Sequence, residues 1–129
     1  NFYIFKISQI NFWKGCFFLE VFCEEQNNTI VAYLNGEIDH HSAEYIRIKI
    51  DYYIDTSTSK NLVFDFKNVS FMDSSGIGII IGRHKKISAK NGQVFIVNLN
   101  KTIKKVIELS GITKIVKIHS DLTEVLNNA

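Results

Sequence analysis

Phe71-Met72-Asp73-Ser74-Ser75-Gly76-Ile77-Gly78 reads as a strand running into a helix. Upstream, Leu62, Val63, Phe64 and Phe66 form the short apolar run of a buried strand, and downstream Ile77, Ile80, Ile81, His84 and Ile87 recur at helical spacing. The turn between them therefore opens a helix. Asp73, Ser74 and Ser75 are all N-cap types, and the free N–H groups and positive dipole end at a helix start favour an added negative group. Two readings stay open: a serine here can carry a phosphate that the fold tolerates, or Asp73 or Ser74 merely caps the helix while the glycines permit tight packing.

On either side of this junction, strands and helices alternate. Leu19 to Glu25 and Thr29 to Asn35 read as strands joined by the polar turn Gln26-Asn27-Asn28, and Gly36-Glu37-Ile38-Asp39 ends the second. A helix follows with Ala43, Ile46, Ile50 and Tyr53 on one stripe and Asp39 or Ser42 as its cap, stopping before Thr56 to Lys60. Strand Asn61 to Phe66 leads to the junction helix, about Ser74 to Ala89, which ends at Asn91-Gly92. Then come strand Gln93 to Asn98, helix Lys101 to Ser110 closed by Gly111, a short strand Lys114 to Ile118 and a last helix from about Ser120 to Leu126. The helix Lys101 to Ser110 carries Ile103, Val106, Ile107 and Ser110 on one face. This alternation predicts an α/β fold with right-handed crossovers and a largely parallel or mixed sheet.

Composition excludes several classes. The chain has 129 residues, one domain's worth, and 46% hydrophobic residues suffice for a core. With a net charge of +2 and lysines interspersed with acids, no basic patch for nucleic acid is expected. Cys16 and Cys23 fit neither a disulfide framework nor a metal-ligand spacing, and a reducing cytosol is the default. Residues 1–18 differ from the rest: bulky apolar side chains such as Phe2, Phe5, Phe12, Trp13 and Phe17 are interrupted by Lys6, Gln9, Asn11 and Lys14. No run of about twenty apolar residues spans a bilayer, and no signal-peptide pattern is evident. Residues 1–18 are read as an atypical extension, and the domain is expected to begin near Leu19; with no initial Met and Met72 as its only Met, the chain reads as a fragment or as a frame extended upstream of the true start.

Catalytic constellations are mostly absent. Gly76 and Gly78 precede no Lys-Ser/Thr pair of a P-loop, and Met72-Asp73 stands where a nucleophile elbow needs a glycine before Ser74. Only fragments of a phospho-accepting aspartate pattern surround Asp65 and Asp73. A triad of Ser74, His40 and Asp39 can be nominated, but nothing in the sequence sets its geometry. Adjacent His40 and His41 are expected to point in different directions, as a solvated helix start.

Taken together, these residues resemble the STAS-domain anti-sigma factor antagonists, specifically the sporulation type of endospore-forming bacteria. The resemblance covers about Leu19 to Asn127 and rests on Asn35-Gly36-Glu37-Ile38-Asp39-His40-His41-Ser42-Ala43-Glu44, on Ser70 to Gly78, and on Ile107-Glu108-Leu109-Ser110-Gly111-Ile112. It implies the STAS fold: a mixed, mostly parallel sheet of four to five strands with about four helices. It also implies a cytoplasmic binding switch, expected to be a monomer, rather than an enzyme. In such proteins the unphosphorylated form docks on an anti-sigma factor that is also a serine kinase, releasing a sporulation sigma factor; the kinase then phosphorylates the antagonist, and a serine phosphatase resets it. Carried across, the acceptor is Ser74, with Ser75 as runner-up, and the partner-binding residues are Asp39, His40, Asp73, Ser75, Gly76, Ile77 and Gly78. ATP and magnesium belong to the kinase, so no cofactor or metal is expected in this chain. Two alternatives are a STAS domain of another circuit, such as a general stress response or a signalling scaffold, and a small Ser74-dependent enzyme.

Overall fold

In the computed structural model, which describes residues 4–12 and 17–127, the expected hairpin turns on Asn27 and Asn28. Their φ angles of 51° and 62° lie in the left-handed region that asparagine tolerates and that two-residue hairpin loops require. The turn joins β2 (Phe17–Gln26) to β3 (Thr29–Ile38) in antiparallel register. Chain order then runs α1 (His40–Thr56), β4 (Asn61–Met72), α2 (Ser74–Ser88), β5 (Val94–Val97), α3 (Lys101–Ser110), β6 (Lys117–His119) and α4 (Leu122–Asn127). Before the hairpin, β1 (Ile4–Phe12) pairs antiparallel with β2. The sheet order is β1-β2-β3-β4-β5-β6, and the pairs β3/β4, β4/β5 and β5/β6 are parallel. This is the mixed, mostly parallel sheet with four helices implied by the family resemblance, extended by β1 at one edge.

Side-chain alternation divides the sheet into two faces. Leu19, Val21 and Cys23 of β2, Ile30, Ala32 and Leu34 of β3, and Leu62, Phe64 and Phe66 of β4 are all buried in one cluster. The same cluster takes Ile46, Ile50 and Tyr53 of α1, Ile80 and Ile87 of α2, and Ile103 and Ile107 of α3. Intervening positions Val31, Val63 and Val97 form a second cluster with Val125 of α4. Three helices therefore cover one face, and the six-residue α4 packs on the other. Burial raises the Cys23 thiol to about 12, with a smaller contribution from nearby Glu25, so it stays protonated and unreactive at neutral pH; Cys16 lies outside the described residues.

Two of the boundaries that differ from the sequence reading bear on the core. Strand β4 continues past Phe66 to Met72, because register shifts against β3 turn Val69 and Met72 back into the core after the polar Lys67 and Asn68. The strand expected at Lys114 to Ile118 begins only at Lys117, since Gly111, at φ 80°, ends α3 and Ile112–Lys114 form a 3-10 turn. Ile112 and Val116 bury their side chains there instead.

Strand β1 precedes the domain start read from the sequence. A chain shortened to begin at Leu19 is expected to melt cooperatively and bind as the full chain does, with Glu20 and Glu24 placing charge along the newly exposed edge of β2. Circular dichroism of both lengths checks this. Loss of a cooperative transition in the shorter chain would make β1 a structural part of the domain.

Candidate functional site

The far ends of β3 and β4 run side by side, with Ile38 paired to Met72, so the two helices that follow start next to each other. Asp73 N donates to the Ile38 carbonyl at 3.1 Å, tying the two helix starts together. Gly36 lies at a register irregularity in β3 with φ 125°, which L side chains rarely adopt, and it turns Glu37-Ile38-Asp39 toward this end of the sheet.

Each helix is capped by an aspartate. The Asp39 carboxylate accepts from His41 N at 2.9 Å and Ser42 N at 3.0 Å, while Asp39 N donates to Ser42 Oγ at 3.1 Å. Both residues named as alternative caps of α1 thus act together in a capping box. Ser42 Oγ also donates to the Glu37 carbonyl at 3.0 Å, holding the end of β3 against the first turn of α1. At α2 the Asp73 carboxylate accepts from Ser75 N at 2.8 Å, and Gly76 N donates to the Asp73 carbonyl at 3.0 Å. Asp73, rather than Ser74, is therefore the cap.

This division of labour separates the two serines. Ser74 occupies the first helical position and is exposed, while Ser75 is half-buried with its amide bound to Asp73. The two glycines also differ. Gly76 is buried, and a Cβ there would lie 2.4 Å from Met72 Cγ and 3.1 Å from Ile38 Cγ2, whereas a Cβ on Gly78 would meet nothing within 4 Å. Gly76 therefore lets α2 approach the strand ends, and Gly78 leaves an exposed flat spot beside half-buried Ile77.

His40 and His41 correct the sequence reading. Their rings do not diverge but lie together, with centroids 3.9 Å apart and planes tilted by 39°. Both are exposed at the start of α1, where no preceding helical turn forces them apart. One oxygen of the Asp39 carboxylate, Oδ1, accepts from both backbone amides, so the side chain holds the helix start. Asp65 is buried, accepting from Asn98 Nδ2 at 3.1 Å and Lys67 N at 3.0 Å. Among the described residues no group of three His, Cys, Asp or Glu is placed to hold a metal ion, and no helix is long and apolar enough to cross a membrane. Beside the junction the structure adds Phe71, 48% exposed, whose place at the end of a strand gave no sign of an outward orientation.

Comparison with known proteins places this geometry. The STAS domain model matches residues 21–125. The anti-sigma F factor antagonist of Paenibacillus polymyxa is 33% identical over 103 residues, which cover 80% of this chain and 88% of that protein. That of Lysinibacillus sphaericus is 39% identical over 84 residues, 65% of this chain and 72% of its own length. Among solved structures, the anti-sigma factor antagonist SpoIIAA in its unphosphorylated form superposes with a TM-score of 0.73 at 32% identity, covering 84% of this chain and 94% of SpoIIAA. The phosphorylated form of the Bacillus protein gives 0.66 at 32% identity, covering 84% and 97%. The chain belongs to the STAS domain family, among the anti-sigma factor antagonists.

Proposed function

We propose that this protein is a phosphorylation-controlled anti-sigma factor antagonist of a sporulation circuit. Its unphosphorylated form docks on an anti-sigma factor that is also a serine kinase, freeing the sigma factor; phosphorylation of Ser74 releases it, and a serine phosphatase restores it. The observation that carries this reading is the exposed Ser74 hydroxyl at the first position of α2, not needed as a cap because Asp73 does that work. Ser75, half-buried, is the runner-up acceptor. Solved SpoIIAA structures in unphosphorylated and phosphorylated forms support a switch of this kind.

Around Ser74 the proposed docking surface takes His40, Asp73, Ser75, Ile77 and Gly78, with buried Asp39 and Gly76 shaping it from beneath. A phosphate adds about −1.5 to −2 charge, which the neighbouring starts of α1 and α2 absorb within the domain, while the same charge opposes a partner surface fitted to a neutral hydroxyl. Fold stability is kept and affinity falls. The chain acts in the cytoplasm as a monomeric binding protein and not as an enzyme; ATP and magnesium are bound by the kinase.

Incubation of the full chain with ATP and magnesium, with and without an anti-sigma factor serine kinase from a sporulating bacterium, tests the proposal. One phosphate is expected by intact mass with the kinase present, mapping to Ser74. Phosphate uptake or ester hydrolysis by the chain alone would indicate an enzyme, and a kinase that neither binds nor modifies the chain points to a different circuit.

Asp39 gives a finer test. Asp39→Ala removes the carboxylate shared by two amides, costing about 1 kcal/mol of stability as a lost cap, and it is expected to slow phosphorylation by more than that loss explains. Parallel melting curves and kinase assays separate the two effects. Equal phosphorylation rates in variant and parent would reduce Asp39 to a structural cap.

A further inference from the structure

Helix α2 is held at two places. Its first turn meets the strand ends at the Asp73–Ile38 hydrogen bond and at the close approach of Gly76. Its second half is fixed to α1 by charge. Arg83, although an arginine, is only 7% exposed, and its Nε lies 2.8 Å from Asp51 Oδ1. Asp51 also faces Arg47 Nη1 at 3.6 Å and Lys86 Nζ at 3.7 Å, and Lys86 reaches Asp55 Oδ1 at 2.7 Å. The Arg83–Asp51 contact is an ion pair without hydrogen-bond alignment, so its hold comes from charge.

Between these two anchors, Ile79 and Ile80 bury the middle of α2 in the core. Apolar contact is non-directional and keeps much of its energy when a helix slides or tilts by a fraction of an ångström. A carboxylate within 2.8–3.7 Å of three cations from two helices loses attraction when α2 moves away from it. Arg83 lies nine residues after Ser74, about 13 Å along the axis, and a hydrogen-bonded helix of this length transmits a tilt about its buried middle to its first turn.

We infer that Arg83 and Asp51 are positioning residues: the buried pair sets the tilt of α2 on α1 and thereby fixes where the Ser74 hydroxyl stands for partner docking. The inference rests on the proposed function for the docking part alone; the mechanical part concerns this chain by itself. It assigns a role to residues that touch neither Ser74 nor the surface around it.

The informative variant is the double replacement Arg83→Met with Asp51→Leu. Replacing both members of a buried ion pair with apolar side chains is commonly neutral for stability, so a cooperative melt is expected to persist while the charge restraint on the tilt is lost. In the full chain without partner, amide hydrogen exchange at Ser75 and Gly76 is expected to quicken by about tenfold. With the kinase, KM for the chain is expected to rise by about tenfold with kcat changed by less than about twofold; because the chain is the substrate, partial unfolding would raise KM in the same way, and a cooperative melt well above the assay temperature excludes it. Arg83→Lys keeps the charge but not the planar guanidinium and is expected to fall between parent and double variant.

Exchange at Ser75 and Gly76 equal to that of the parent overturns the inference, as does an unchanged KM in an assay where the parent chain is phosphorylated. Should the double variant lose its cooperative melt, Arg83→Lys decides the matter by the same exchange measurement. A parent chain that accepts no phosphate overturns the proposed function instead, and the exchange result still decides whether the pair sets the tilt.

Discussion

Ser74→Asp is expected to weaken binding to the ADP-loaded kinase by one to two orders of magnitude, while Ser74→Ala keeps parental affinity and accepts no phosphate. The hydroxyl is exposed and is not the cap of α2, so alanine removes the acceptor and leaves Asp73 bound to Ser75 N. Aspartate instead adds one negative charge at a helix start, where the dipole favours it by about 0.3–1 kcal/mol, so the folded domain is not weakened. The cost falls on the complex, where a coupling of about 1 to 3 kcal/mol corresponds to that loss of affinity. Calorimetric titration measures the binding, and intact-mass spectrometry after kinase treatment measures the modification. Stoichiometric phosphorylation of Ser74→Ala, together with none of Ser75→Ala, would move the acceptor by one residue.

The largest effect on stability is expected at Gly92, in the turn after α2. A Cβ there would lie 1.7 Å from the Lys60 carbonyl oxygen, 2.6 Å from its carbon and 3.0 Å from Ile87 Cγ2. The obstacle is backbone, and it has little room to move: Lys60 N and Asn61 N both donate to the Asn28 carbonyl, and Leu62 N donates to the Gln93 carbonyl at 3.0 Å. Gly92→Ala is therefore expected to cost about 3 kcal/mol or more, lowering the melting temperature by about 10 °C or more. Gly82→Ala is the contrasting control, since a Cβ on Gly82 meets nothing within 4 Å and the helix interior gains about 0.5–1 kcal/mol from alanine. Thermal melts of the two variants should move in opposite directions, and an unchanged melt for Gly92→Ala would show that the Lys60 backbone yields.

Features set by short stretches of chain were legible in the sequence. The apolar stripe Ile46, Ile50 and Tyr53, the candidate caps Asp39 and Asp73, and a turn within Gln26-Asn27-Asn28 are all local and are found in the structure. Features that depend on a remote neighbour were not. Gly76 and Gly78 are alike on paper; only the proximity of the Met72 and Ile38 side chains crowds one and leaves the other open. Arg83 stands beside Lys85 and Lys86 with nothing in the local sequence to mark it for burial, which is decided by α1 packing beside it. The later part of β4 was hidden because Lys67 and Asn68 interrupt the apolar pattern, which the register shifts against β3 restore only in three dimensions.

The pairing of β3 with β4 has a consequence for the order in which the domain assembles. The β2–β3 hairpin closes over two residues and can form within about 1–10 μs, but the parallel pair must wait for the chain to return through α1. Pairing that starts at Thr29 and Asn61 then has to pass two register irregularities, at Tyr33/Asn35 and Gly36/Glu37, before Ile38 meets Met72. Amides at Ser75 and Gly76 should accordingly gain protection after those of Ile30 to Ala32 in pulse-labelled refolding, and simultaneous protection would rule out directional zipping. A chain emerging from synthesis would thus gain its hairpin early, while the serine that the kinase must recognise would take its place only once the far end of the sheet has closed.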